Sequence, residues 1–76
     1  PFNPNTVISY SVPEQSNVKL KVFDVLGNEI ATLINESKDT GKHFVEFDGK
    51  DLSSGVYYYK IQIGNYSDIK KMILMK

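Results

Sequence analysis

The sequence predicts an all-β fold, a small antiparallel sandwich without a disulfide. Apolar and polar residues alternate in several short segments, and turn residues separate these segments at sandwich-like intervals. The densest strand signal covers residues 56–63, where aromatic and β-branched residues dominate. Because the 76 residues include no cysteine, aliphatic and aromatic side chains must form the core alone.

A Ser-Gly-X-Tyr motif precedes this strong strand and refines the prediction. Position parity gives one face Tyr57, Tyr59, Ile61 and Ile63, and the other face Val56, Tyr58, Lys60 and Gln62. The first face is more apolar, so we place it in the core. A Tyr at this point is typical of the tyrosine corner of immunoglobulin-like sandwiches, so we expect Tyr57 to be buried with its hydroxyl bonded to the backbone a few residues upstream. Gly55 would supply the tight backbone conformation before it. We therefore expect an immunoglobulin-like sandwich of about seven strands.

Length and charge limit the functional classes. We expect residues 1–76 to form a single domain, with residues 1–5 as a linker segment, near the lower size limit for a sandwich that folds alone. Lysine provides every basic residue, and nine basic residues balance nine acidic ones. This balance argues against a nucleic-acid partner, which would need a basic face. No apolar run approaches the roughly 20 residues of a transmembrane segment. The first residue is Pro1, so we expect the chain to be part of a longer protein.

The first half of the chain contains three predicted strands. Residues 6–12 alternate with Ile8, Tyr10 and Val12 on one face, and residues 18–22 alternate more clearly, with lysines facing water. Phe23 falls on the lysine side, where it covers an edge or marks a bulge. Residues 24–28 form a turn in which Gly27 and Asn28 can adopt positive φ, and we expect Leu26 to tuck under it. Residues 29–35 lack clean alternation, so the third strand is either covered on both sides or irregular.

The second half contains a polar loop and three more predicted strands. We expect residues 36–42 to be an exposed loop, and residues 43–48 to be a strand with Val45 and Phe47 on one face. After the corner strand, Gly64 and Asn65 predict a two-residue hairpin loop of the primed type. Residues 66–75 then return antiparallel. Their apolar run at residues 72–75 predicts a strand that is buried on both faces or lies within the sheet.

Residues capable of catalysis or metal binding are scarce. His43 is the only histidine and has no cysteine or second histidine to act with, so we interpret it as a strand residue with an exposed ring. Residues 48–51 superficially resemble a calcium loop but lack its later ligands, which favours a turn. Residues 53–55 lack the pattern of a nucleophile elbow. We therefore predict no catalytic residue, no metal site, no cofactor and no enzymatic activity.

The tyrosines at positions 57–59 allow two interpretations. Exposed rings could form a platform that stacks on sugars or single-stranded bases, but alternation leaves Tyr58 as the one exposed ring. One ring makes a poor platform, so core packing is the better account. Two functions stay open at this point: a carbohydrate-binding module of a secreted hydrolase, and an immunoglobulin-like spacer in such a protein.

Ordered sequence blocks carry a more specific resemblance. The start, residues 1–10, resembles the opening of type A C-terminal sorting domains of the type IX secretion system, where Asn-Pro-Phe-Asn-Pro-X-Thr leads into the first strand. Residues 22–30 are similar to the Val-Tyr-Asp-X-X-Gly-X-X-Val segment of that family. Residues 45–48 and 52–57 resemble its most recognisable block, and residues 71–76 its terminal strand. The blocks span nearly the whole chain in the same order.

The resemblance implies a sorting signal at the end of a protein secreted by a Bacteroidetes-type bacterium. It implies an N-terminal passenger (often a hydrolase or an adhesin), passage through the periplasm, and recognition by outer-membrane secretion machinery. A sortase-like protease would then remove the domain, and the passenger would reach the cell surface or the medium. The implied recognition residues are Lys71, Met72, Ile73, Leu74, Met75 and Lys76. The implied structural motif positions are Pro4, Gly27, Gly55 and Tyr57.

Overall fold

Two antiparallel sheets form the domain in a computed structural model that describes residues 4–75. The smaller sheet pairs β1 with β4, and the larger sheet has the order β3-β2-β5-β6. The strands are β1 (Asn5–Val12), β2 (Ser16–Asp24), β3 (Glu29–Lys38), β4 (Gly41–Asp48), β5 (Gly55–Ile63) and β6 (Tyr66–Leu74). This arrangement confirms the predicted all-β sandwich without a disulfide.

The described residues contain six strands, whereas about seven were expected. The smaller sheet has two strands, because the loop between β4 and β5 runs through turns and contributes no strand of its own. Of the predicted linker, residues 1–3 lie outside the described residues. β1 begins at Asn5, one residue earlier than the predicted first strand.

The core lies between the two sheets and follows the predicted alternation. β1 buries Ile8, Tyr10 and Val12, which confirms the face assigned to that strand. On the other side of the core, the larger sheet contributes the inward-facing residues of β2, β5 and β6. The buried apolar residues are Ile8, Tyr10, Val12, Val18, Leu20, Val22, Ile34, Phe47, Tyr57, Ile61, Ile63, Met72 and Leu74.

The irregular pattern of β3 comes from two register shifts against β2. Leu20 pairs with Ile34 while Lys21 pairs with Thr32, and Val22 pairs with Ala31 while Phe23 pairs with Glu29. One extra β3 residue is accommodated at each shift, which is how a bulge breaks alternation. Of the two alternatives for Phe23, the bulge agrees with the register shift between Val22 and Phe23, although the extra residue there belongs to β3; β2 is not an edge strand. The prediction of a loop at residues 36–42 is wrong, because β3 continues to Lys38 and β4 begins at Gly41. Backbone hydrogen bonds to the neighbouring strands stabilise these polar segments as strands even though their side chains are mostly exposed.

The turn after β2 also differs from the prediction. Leu26 is 83% exposed and does not tuck under the turn. The carboxylate of Asp24 organises this turn instead, since its Oδ1 accepts hydrogen bonds from the backbone N–H groups of Leu26 and Asn28, both at 2.9 Å. With polar bonds closing the loop, an apolar contact from Leu26 is not needed. Gly27 has a φ of 89°, in the region that favours glycine, as predicted, whereas Asn28 does not have positive φ.

The position of β6 overturns one further prediction. The apolar run at its end suggested a strand that is buried on both faces or lies mid-sheet, but β6 is the edge strand of the larger sheet. Met72 and Leu74 face the core, whereas Ile73 is 38% exposed and Met75 is 56% exposed. The apolar run is thus an ordinary alternating strand whose outward positions are also apolar. The continuous apolar run at residues 72–75 therefore does not indicate that both faces of the strand are buried.

Candidate recognition site on the terminal hairpin

The terminal hairpin, defined here as β5, β6 and the loop between them, contains most of the positions that the sequence singled out. Ile63 pairs with Tyr66, so its loop has two residues, as predicted. Gly64 has a φ of 58°, and no described non-glycine residue has positive φ. Positive φ at the first loop residue alone is the pattern of a type II′ turn, which matches the twist of the flanking strands.

A side chain-to-backbone hydrogen bond fixes the start of the hairpin. The hydroxyl group of Tyr57 donates to the backbone carbonyl oxygen of Ser53 at 2.7 Å, and the Tyr57 side chain is buried. This is the geometry predicted for a tyrosine corner. Gly55 lies between the two residues and has a φ of 156°. A Cβ atom there would meet nothing within 4 Å, so backbone conformation constrains the position more than space does.

The far end of the hairpin presents the terminal strand to solvent. Lys71 is exposed, Met72 and Leu74 are buried, and Ile73 and Met75 project outward. Lys76 lies outside the described residues. The strand pairs with β5 on one side, and no other described strand pairs with it.

Hairpin geometry identifies the backbone groups on the free edge of β6. The closing pair of a two-residue hairpin exchanges hydrogen bonds, and hydrogen-bonded pairs alternate with non-bonded pairs along an antiparallel ladder. Counting from Ile63 and Tyr66, the pairs that contain Met72 and Leu74 are hydrogen-bonded. The N–H and C=O groups of Ile69, Lys71 and Ile73 therefore point away from β5, toward the free edge.

The remaining motif positions lie at the same end of the sandwich but outside the hairpin. The carbonyl oxygen of Pro4 accepts a hydrogen bond from the backbone N–H of Gly49 at 2.9 Å, which ties the start of β1 to the turn after β4. The turn that contains Gly27 follows Asp24, the residue that pairs with Tyr57. Pro4 and Gly27 thus shape turns around the hairpin without belonging to its free edge.

Asp24 was missed as an important residue at the sequence level. Besides the two backbone bonds to its Oδ1, its Oδ2 accepts a hydrogen bond from the side-chain amide of Asn28 at 3.1 Å. These hydrogen bonds, chiefly those from Asn28, lower the pKa of the Asp24 carboxyl below its usual value. An aspartate two residues before the backbone it caps is a known turn signal, so the pattern Asp-X-X-Gly-Asn could have revealed it.

His43 is more constrained than predicted. Its ring stacks on Tyr10 with ring centroids 5.5 Å apart, and its Nε2 lies 2.8 Å from the carbonyl oxygen of Asp39. The histidine therefore packs across the β1–β4 pair and is only partly exposed. Burial raises the pKa of the Tyr10 hydroxyl above its usual value. Within residues 4–75, no group of three or more His, Cys, Asp or Glu residues is placed to hold a metal ion.

A groove of about 700 Å³ lies between the free edge of β1 and the inner face of the hairpin. Tyr59 and Tyr66 line it together with residues of β1. Tyr66 is 59% exposed, Tyr59 is half-buried, and Tyr58 projects from the opposite face of the hairpin. The hairpin tyrosines consequently do not form one exposed row of stacking rings.

The fold and the corner geometry define the class of protein, an immunoglobulin-like antiparallel sandwich that ends in an edge hairpin. Comparison with known families matches residues 1–75 to the family described as "Secretion system C-terminal sorting domain", and the chain belongs to that family. It is therefore a C-terminal sorting signal of the type IX secretion system, which directs a passenger to the cell surface or the medium. A comparison with curated proteins found no match. Across residues 4–75, no helix long and apolar enough to cross a membrane is present.

Proposed function

We propose that the secretion machinery recognises the terminal hairpin as a folded shape, by adding a strand to the free edge of β6. The edge position of β6 carries this proposal. An unpaired edge offers a row of N–H and C=O groups to an extended segment of a partner, and such strand addition is a common mode of recognition. The recognition residues in this proposal are Lys71, Met72, Ile73, Leu74, Met75 and Lys76.

Side chains along the edge fit the same role. In strand addition, backbone bonds supply affinity and alternate side chains supply specificity. Ile69 and Ile73 on the outward face of β6, and Met75 directly after it, are exposed apolar residues that pockets of a partner could receive. Lys70 and Lys71 flank the edge and discourage pairing between copies of the domain, as charged residues on edge strands do.

The structural motif positions support the hairpin indirectly in this proposal. Gly55 and Tyr57 hold the start of β5, while Pro4 and Gly27 hold neighbouring turns through backbone contacts. Residues 1–76 would act as one domain, with residues 1–5 as the linker to the passenger. The specific partners would be the outer-membrane export machinery and then a sortase-like protease that cuts upstream of the domain.

We further infer that the domain itself is not an enzyme. The support is chemical: His43 is engaged with Tyr10 and Asp39, and Asp24 is engaged with its own turn. The Thr32 hydroxyl donates to the Glu29 carboxylate at 2.9 Å, but both residues are exposed on the sheet surface and Lys21 also binds that carboxylate, an arrangement unlike an activated nucleophile. Passenger hydrolysis or adhesion would belong to the passenger alone.

Two substitutions at Lys71 separate edge pairing from side-chain recognition. Residues 1–76 are fused behind a periplasmic reporter in a bacterium with a working type IX system. Lys71→Pro removes an N–H group that faces the free edge and makes no bond to β5, so the sheet should tolerate it. Lys71→Thr removes the same charge but keeps the N–H group. We expect Lys71→Pro to trap the reporter in the periplasm and Lys71→Thr to export it.

Folding controls accompany the export assay. Circular dichroism and a thermal melt of the purified domain must show that Lys71→Pro still folds. Equal export of the Lys71→Pro and Lys71→Thr fusions would contradict edge pairing. Retention of the unmodified fusion, while another sorting domain exports the same reporter, would contradict recognition of this hairpin.

A further inference from the structure

The outer face of the larger sheet, the face turned away from the core, has a strongly biased charge. The face is defined by outward residues paired across the four strands. It carries Lys19, Lys21, Lys60 and Lys71, and its one acidic residue is Glu29. The Glu29 carboxylate lies 3.1 Å from the ammonium nitrogen of Lys21. The whole chain is neutral, so this basic face exists because acidic residues are placed elsewhere.

Two of these lysines are arranged at a cost to folding. Lys21 and Lys60 occupy directly opposite positions on β2 and β5. Directly opposed like charges destabilise an antiparallel pair. The ion pair between Lys21 and Glu29 relieves part of this repulsion, whereas Lys19, Lys60 and Lys71 form no ion pair among the described residues. With four lysines and a single carboxylate on this face, like-charge repulsion is only partly offset, so we interpret the lysine cluster as serving a role outside folding.

Aromatic and apolar residues continue the same face. Phe23 lies opposite Tyr58, and Tyr58 lies opposite Lys71. The next outward residues on β6 are Ile73, which is partly exposed, and Ile69, which is 62% exposed. Strand spacings place the four lysines within about 14 Å of one another along the strands. The face therefore combines a compact basic cluster with a shallow apolar strip along one side.

We propose that this face docks on an anionic lipid surface through its phosphate groups. Lysine binds phosphate as a point charge, and small clusters of basic residues beside apolar ones are typical of proteins that bind anionic lipids. An acidic protein partner fits less well, because protein interfaces favour arginine and disfavour lysine, and this chain has no arginine. Tyr58 has the amphipathic ring that suits the headgroup level of a bilayer.

Vesicle co-sedimentation tests the lipid proposal directly. The 76-residue chain is mixed with phosphatidylcholine vesicles that contain either no anionic lipid or about 30 mol% phosphatidylglycerol. Each lysine near an anionic surface changes partitioning by about five-fold. The triple variant Lys19→Gln, Lys60→Gln, Lys71→Gln should therefore bind anionic vesicles about 100-fold more weakly than the unmodified chain. Raising the salt to about 0.5 M should release the unmodified chain as well.

A second triple variant controls for net charge. Lys38, Lys42 and Lys50 lie off this face, and replacing all three with glutamine removes the same charge. This control should keep most of its vesicle binding. An equal loss in both triple variants, or equal binding to neutral and anionic vesicles, would overturn the proposal. Binding to immobilised polyglutamate without binding to anionic vesicles would overturn it too, by assigning the face to an acidic protein. None of these outcomes depends on export, so they are separate from the test of the β6 edge.

Discussion

The hydroxyl group of Tyr57 and the carbonyl oxygen of Ser53 form a 2.7 Å hydrogen bond that closes the loop leading into β5. Tyr57 is 7% exposed and belongs to the core between the sheets. One side chain thus anchors the loop and fills the core at the start of the terminal hairpin. Any defect there should reach the strand that the export machinery is proposed to read.

Removing the Tyr57 hydroxyl should weaken the domain without unfolding it. Tyr57→Phe should lower the free energy of unfolding by about 1 kcal/mol, the usual contribution of such a hydrogen bond. Tyr57→Ala should cost about 3–5 kcal/mol, because it also leaves a cavity, and a domain this small has little stability to lose. Urea unfolding measures both values. Tyr58→Phe and Tyr58→Ser are the controls, and a larger loss for Tyr58→Ser than for Tyr57→Ala would contradict the assigned faces.

The Asp24 turn should make stability depend on acid. Because hydrogen bonds lower the pKa of Asp24 in the folded state, the carboxyl contributes stability above its usual pKa of 3.8. That contribution is lost as the pH falls through the lower folded-state pKa. Asp24→Ala should therefore be clearly less stable than the unmodified domain near about pH 7, and the gap should narrow by about pH 2.

Comparing the two proteins at each pH isolates Asp24. Glu29 also has a lowered pKa, owing to hydrogen bonds from Lys21 and Thr32, but it is present in both and its contribution cancels. Asp51→Ala, which removes an exposed carboxylate in another turn, should change the free energy of unfolding little at either pH. A gap between Asp24→Ala and the unmodified domain that is constant with pH would show that the charge of Asp24 has no part in the turn.

Sequence patterns predicted the strands whose alternation is regular. β1, β2 and β5 each have one face that is more apolar than the other, so parity identified the buried residues of β2 directly: Val18, Leu20 and Val22. The same parity placed Tyr57 in the core, and the Ser-Gly-X-Tyr pattern predicted its hydrogen bond. Local rules suffice where each residue follows the period of a strand.

The failures came from features that parity does not record. The two shifts in β3 break its period, so no assignment of faces from Ile30, Ala31 and Leu33 alone could succeed. The edge position of β6 depends on strand order, which the hydrophobic run at residues 72–75 does not encode. The basic face arises from pairing among β2, β5 and β6, so composition alone shows only a neutral chain.

Leu26 tests the corrected account of the first turn. It is exposed, and the turn is held by Asp24, so Leu26→Ser should change the free energy of unfolding by no more than about 0.5 kcal/mol. Leu20→Ala is the contrasting variant, since Leu20 is completely buried, and it should cost about 2–5 kcal/mol. Chemical unfolding of both proteins provides the measurement. A loss for Leu26→Ser close to that of Leu20→Ala would restore the original prediction that Leu26 tucks inward.

Repulsion between the opposed lysines, Lys21 and Lys60, should lower the free energy of unfolding of the domain. Lys60→Gln removes one of the two like charges that face each other across β2 and β5. We expect the free energy of unfolding to rise by about 0.2–1 kcal/mol at low salt. The gain should shrink at about 1 M salt, where screening already weakens the repulsion. Lys19→Gln is the matched control, because Lys19 faces the neutral Gln62 and its replacement should change little. If Lys60→Gln were no more stable than Lys19→Gln at low salt, the lysine pair would carry no folding cost, and the basic face would lose its main sign of a role beyond folding.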